Sequence, residues 1–298
     1  MANALSGLFL LHKEKGMSSQ TAVNRVKHLF GAEKAGHTGT LDPMAEGVLP
    51  VLIGRAVKAS EFLLTADKHY LAHLRLGQTS DTEDATGTIL TQTELLPQEE
   101  EVFAVLPRFT GKLLQTPPMY SALKIGGQKL CDLARKGQEI ERQAREITVF
   151  SLSAERLSPS EYALSVHCSK GTYIRTLCAD IGKALGCGGL MSRLVRTKAS
   201  GFSLEQAQTL AQLEETPASL RPSLLLPTER IFASCAKVTL PPFFARLARA
   251  GQPIYQKKIN THFPLDTLVS FYDNEGFFAV ARAEEKEEDV VLKPLRQF

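Results

Sequence analysis

The segment Gly36-His37-Thr38-Gly39-Thr40-Leu41-Asp42-Pro43, running on to Gly54, restricts what this chain can fold into more than any other. Glycines at 36, 39 and 47 open backbone angles closed to other residues. Asp42 precedes a proline, which biases its backbone toward an extended form. Such a stretch cannot be a regular helix, and it can hold one carboxylate rigidly at the rim of a cleft. The competing reading makes Asp42 a helix N-cap with Pro43 at the first helical position. Gly47 and Pro50 would end that helix after about a turn, and Ala45 stands where a capping-box Glu belongs.

Around this loop the pattern mixes helix and strand. Val23, Val26 and Phe30 keep helical spacing, with Ser18 or Ser19 to cap the start and Gly31 the end. Tyr70, Ala72, Leu74 and Leu76 alternate with Leu71, His73 and Arg75 as a strand ending at Gly77. Tyr162, Leu164, Val166 and Cys168 form a second strand, and Ile174, Leu177, Ile181 and Leu185 return to helical spacing. There is no steady strand–helix repeat. The pattern predicts an α+β fold, a mixed and largely antiparallel sheet with flanking helices. Residues from Pro117 to Glu146 are polar and glycine-bearing, an insertion expected to move or order only on binding. A boundary is expected near residue 230, after the prolines between Pro217 and Pro227, giving units 1–230 and 231–298.

The net charge of +3 is too small to announce a polyanionic partner, but its distribution is uneven. Between Ser165 and Ser200 stand Lys170, Arg175, Lys183, Arg193, Arg196 and Lys198 against a single acid, Asp180. From Leu76 to Pro107 there is no Lys or Arg, while Asp81, Glu83, Asp84, Glu94 and Glu99 to Glu101 all fall there. Read as surfaces, one run attracts phosphates and the other repels them, although either can be a plain solvated face. The five cysteines lack Cys-x-x-Cys spacing and read as thiols in a reducing compartment, the cytoplasm by default. No apolar run approaches the roughly 20 residues that span a bilayer. The apolar patch Leu8–Leu11 has no basic region before it, so no signal peptide is expected.

Five stretches, in order, resemble the TruB family of pseudouridine synthases. They are the Gly36–Gly54 segment, Lys68-His69-Tyr70, the run from Gln115 to Lys124, Gly171-Thr172-Tyr173-Ile174-Arg175, and Arg193-Leu194-Val195-Arg196-Thr197. The resemblance implies isomerisation of the T-loop uridine of tRNA, position 55 in the usual convention, by a stand-alone enzyme. It also implies that Val291-Leu292-Lys293-Pro294-Leu295 closes a small PUA-like, RNA-binding β-barrel. A monomer with no obligatory guide RNA or protein partner is expected. No cofactor or metal is expected either, because the reaction breaks a glycosidic bond, turns the base and makes a carbon–carbon bond without redox chemistry.

By the same resemblance Asp42 starts the reaction, as nucleophile or as base toward the ribose. Arg175 pairs with it and keeps it charged. That pairing has an argument of its own. Arg175 falls in the first turn of a helix, where the macrodipole disfavours a cation, and Cys178 and Ala179 leave it no acid three or four residues on. Tyr70 would stack on the flipped base, with the option of acting as a base, although its spacing also suits a core tyrosine. His37 would fill or stack in the space vacated by flipped nucleotides, and Leu194 would line the uracil pocket. Met119, Tyr120 and Lys124 would grip RNA from the insertion, and Tyr173 would pack the site or the core. The rival reading is a non-catalytic RNA-binding or tRNA-folding protein, which has no need of an arginine beside a rigid aspartate.

Overall fold

The computed structural model describes residues 5–298. Seven strands carry the main sheet: β1 (Gly7–Lys13), β2 (Glu46–Ile53), β3 (Lys68–Leu76), β4 (Gly111–Gln115), β5 (Arg145–Ser158), β6 (Glu161–Cys168) and β7 (Gly189–Ala199). Their order is β1-β2-β7-β3-β6-β5-β4, with the short strands Ala35–His37 and Phe202–Ser203 added on β2 and β7. Only the β7–β2 pairing is parallel, at Val195 opposite Glu46 and Arg196 opposite Gly47. The expected mixed, largely antiparallel sheet is the one observed.

The helix expected after Ser18 is α1 (Ser19–Leu29), whose first turn is capped by Thr21 N donating to Ser18 Oγ at 3.1 Å. The second, α2 (Ile174–Ala184), buries Ile174, Leu177, Cys178 and Ile181. Alternation does the rest. Ala72, Leu74 and Leu76 of β3 and Tyr162, Leu164, Val166 and Cys168 of β6 point into one core with α2. Each leucine or valine among them contributes about 2 kcal/mol by leaving water. Tyr70 shares their parity but not their burial: near the start of β3 the core face runs out into a cavity, and Tyr70 is half-buried there.

Beyond residue 233 a second, open sheet of five strands forms: β8 (Ala236–Thr239), β9 (Ile254–Tyr255), β10 (Leu268–Asp273), β11 (Gly276–Lys286) and β12 (Asp289–Gln297). Their order is β8-β10-β11-β12-β9. This is the small PUA-like unit, its barrel left open, and it packs Phe271, Phe278 and Leu292 into its own core with α3 (Pro242–Arg249). The β10–β11 turn is set by Glu275 N donating to Asp273 Oδ1 at 2.9 Å. An aromatic cluster of Phe62, Phe232, Phe277 and Phe298 fastens this sheet to the segment after β2.

The insertion is shorter and better anchored than expected. Arg145 and Glu146 already belong to β5. Leu130 is fully buried, and Arg142 Nη1 donates to the Pro117 carbonyl at 3.1 Å, closing the neck. The hairpin between Lys124 and Lys129 is exposed.

Candidate active site

The loop that carries Asp42 is fixed from behind. Arg196, on β7, is fully buried and donates from Nε to the Val48 carbonyl (2.9 Å), from Nη2 to Gly39 (3.1 Å) and from Nη1 to Thr40 (3.4 Å). Its guanidinium thus spans both sides of the aspartate. Ser19 Oγ donates to the Leu41 carbonyl and accepts from the Leu41 N–H, both at 2.8 Å. Lys13 Nζ donates to the Ala45 carbonyl at 2.7 Å. Gly47 has φ +127°, and a Cβ there would lie 2.3 Å from the Arg196 carbonyl oxygen, so only glycine lets β2 and β7 approach this closely. The capping alternative fails: Ala45 N donates to the Asp42 carbonyl at 3.0 Å, one turn forms, and the chain enters β2.

Asp42 meets Arg175 from the first turn of α2, with Nη2 3.1 Å from Oδ2. Arg175 is buried to 6% exposure, while a third of the Asp42 side chain opens to the cavity. A second carboxylate is also present. Asp84 Oδ2 lies 3.6 Å from Arg175 Nη1 and is almost fully buried. Its other oxygen accepts from Thr82 Oγ1 (2.9 Å), Thr86 N (2.9 Å) and Thr86 Oγ1 (2.6 Å). The Tyr120 carbonyl accepts from Arg175 Nη2 at 2.6 Å, tying the insertion to the pair. Two carboxylates offset the unfavourable helix-end position of this cation. Neither run is wholly a surface: Lys170, Lys183, Arg193 and Lys198 of the basic run and Asp81, Glu94, Glu100 and Glu101 of the acidic one are exposed, but Arg175, Arg196 and Asp84 turn inward, and two of them form one ion pair.

Burial pushes the Asp42 carboxyl above its ordinary range; Arg175 and Lys13 pull it down, and Asp84 adds to the rise. Burial lowers Lys13 to about 8. It pushes the Tyr70 phenol up, against the Arg196 charge, so the phenol is neutral in the free protein. It holds His37 below the usual imidazole range, helped by Arg196, which leaves a neutral ring facing the cleft.

Two cavities meet at Asp42 and Arg175. The smaller, about 270 Å³, is walled by Tyr70, Met191, Leu194 and Tyr173. The larger, about 680 Å³, is lined by His37, Met44, Tyr120, Lys129 and Arg135. The structure thus brings Asp42, Tyr70, Arg175, His37, Leu194, Tyr173 and Tyr120 to one cleft. Tyr173 is fixed by its backbone, which exchanges bonds with the Gln115 side chain at 2.8 and 3.0 Å. Met119 is half-buried and Lys124 exposed, and neither lines either of these two cavities. Sequence reading missed Asp84, Lys13 and the inward role of Arg196. The alternation Thr82-x-Asp84-x-Thr86 was the signal for the first, since flanking hydroxyls can satisfy a buried carboxylate. Thr38 Oγ1, Ser121 Oγ and Arg175 Nε are buried at the cavity wall without a hydrogen-bond partner among the described residues.

Sheet, cleft and ion pair have known counterparts. Residues 27–174 match the family model described as "TruB family pseudouridylate synthase (N terminal domain)". Residues 175–233 match "tRNA pseudouridylate synthase B C-terminal domain". The class is therefore that of pseudouridylate synthases. A protein of Thiobacillus denitrificans named tRNA pseudouridine synthase B is 43% identical over 282 residues, 94% of this chain and 93% of the relative. Its namesake in Neisseria meningitidis is 41% identical over 98% of this chain and 94% of its own length. Among solved structures, a chain of a Cbf5-Nop10-Gar1 complex superposes with a TM-score of 0.74 at 25% identity, covering 98% of this chain and 84% of that one. The chain belongs to the TruB family and is an enzyme, an isomerase. No helix among the described residues is long and apolar enough to cross a membrane.

Proposed function

We propose that this chain converts the T-loop uridine of tRNA, position 55, to pseudouridine, acting alone as a monomer without guide RNA or protein partner. The observation that carries the reading is the Asp42–Arg175 pair at the meeting point of two cavities, one of them walled by Tyr70 and Leu194. The relatives named tRNA pseudouridine synthase B support tRNA as the substrate.

Asp42 initiates the reaction at the ribose once the glycosidic bond is engaged, and Arg175 keeps it ionised and aimed. Tyr70 stacks on the flipped base, Leu194 covers its other side, and Tyr173 walls the pocket. His37 occupies the larger cavity, where the neighbouring nucleotides would lie. Thr38, Ser121 and Arg175 Nε are the polar groups that a bound nucleotide would satisfy. Lys13, Asp84 and Arg196 position the pair. Met119, Tyr120 and Lys124 belong to an insertion that folds over the T-loop. Residues 1–230 form the catalytic domain and 231–298 the RNA-binding one, a division supported by the second sheet, which begins at Ala236 and has its own core. Five free thiols support the cytoplasm as the working compartment.

The test uses tRNA transcript tritiated at C5 of uridine. Forming the C5–C1′ bond expels that hydrogen to water while leaving the mass of the unlabelled nucleotide unchanged. Release near one equivalent, lost when the T-loop uridine is replaced by cytidine, is the expected result. Tight, salt-sensitive binding with no release would make this a non-catalytic RNA-binding protein.

A further inference from the structure

Asp67, His69 and His167 lie behind the cleft. Lys68 and Tyr70 line the cavity, so alternation along β3 turns His69 to the opposite face of the sheet. His167 alternates in the same way with the core residues Val166 and Cys168. The two histidines are register partners across the β3–β6 pairing, and their rings stack at 4.0 Å with planes 9° apart. Asp67 stands two residues before His69, and its carboxylate meets His167 Nε2.

Among the described residues these three offer one nitrogen or oxygen each, all within 4.8 Å of one another. His167 packs against the His69 ring and also against Phe150, whose centroid is 4.7 Å away, so two neighbouring rings restrict its orientation. His69 makes no side-chain hydrogen bond among the described residues, which leaves its nitrogens available. Asp67 is 47% exposed and His167 27%, so an ion reaches them from solvent without any opening of the fold. In the stack the ring planes are parallel, and their lone pairs do not converge. Turning His69 about χ2, a broad torsion for imidazole, aims a nitrogen toward a point shared with His167 Nε2 and Asp67 Oδ2.

We propose that Asp67, His69 and His167 form a binding site for a divalent ion of the zinc class. Two imidazoles and a carboxylate suit an imidazole-preferring transition ion and do not suit magnesium, which favours an all-oxygen octahedron. Three protein ligands leave a fourth position for water. The isomerisation needs no such ion, so the site is separate from the reaction. It grips the start of the strand that carries Tyr70.

The experiment titrates Zn²⁺ into the untagged, metal-free full chain against a chromophoric chelator, with Mg²⁺ run in parallel. One saturable equivalent of Zn²⁺ and none of Mg²⁺ is expected. His69→Ala and His167→Ala should each weaken Zn²⁺ binding at least about tenfold. Asp67→Asn, which keeps the shape and removes the charge, should weaken it too, while His28→Ala on α1 leaves it unchanged. Circular dichroism confirms that each variant is folded. Absence of a saturable equivalent, or a Zn²⁺ affinity unaltered by His69→Ala and His167→Ala together, would overturn the proposal.

Discussion

The Asp42 loop and the insertion after Pro117 face each other across one cleft and are built in opposite ways. The loop is tied at Gly39, Thr40, Leu41, Ala45 and Val48 by buried side chains from three other elements. The insertion is held at its neck and by Leu130, while its Lys124–Lys129 hairpin stands in solvent. A cation as buried as Arg196, answered by carbonyl oxygens and the Tyr70 phenol and by no carboxylate among the described residues, is costly to desolvate. A loop that accepts this cost is one whose shape matters. On the proposed function the difference is a division of labour: the side assigned to chemistry is formed in advance, and the side assigned to RNA recognition keeps freedom to adapt.

That contrast can be broken or sharpened by substitution. Asp42→Asn should lower turnover by about 10⁴-fold or more while tRNA affinity stays within about twofold; tritium release and filter binding read the two. Gly47→Ala should cost about 3 kcal/mol or more in urea unfolding, because its Cβ meets the Arg196 backbone. Gly126→Ala, with nothing within 4 Å, should cost only about 1 kcal/mol from its positive φ. Arg175→Met should lower kcat by about 10³-fold and also move the pH profile. In the proposed mechanism ionised Asp42 is the active form, so activity should fall as pH drops through its raised pKa; without the arginine charge that acid limb should shift to higher pH. Arg196→Lys keeps the charge but cannot reach three carbonyls, and should lower kcat about tenfold with KM little changed. Smallest of all, Lys124→Ala should weaken binding about two- to threefold and flatten its salt dependence.

The readable part of the molecule was the part where local chemistry decides the outcome. The loop at Asp42, the alternation in β3 and β6, and α2 with Arg175 in its first turn all follow from spacing, glycines and caps. What could not be read was direction. Asp84 sits in an acidic run that looks like a solvated face, yet an isolated bridge to Met191 on β7 turns that segment inward. Arg196 sits in a basic run, yet its position opposite Gly47 buries it. Composition gives the charge of a segment, and tertiary pairing decides which of its residues meet. The anchors of the insertion are hard to read for a related reason: its polar sequence masks Leu130 and Arg142, which need the rest of the fold to act on.

The most direct test measures the single-turnover rate and the dissociation constant on one tRNA transcript, for Asp42→Asn and for the double variant Lys124→Ala, Lys129→Ala. The division of labour requires Asp42→Asn to bind like the natural chain and not turn over. It requires the hairpin variant to bind more weakly yet react at the natural rate once saturated. Affinity lost in parallel with turnover in Asp42→Asn would contradict it and make the aspartate a structural element of its loop.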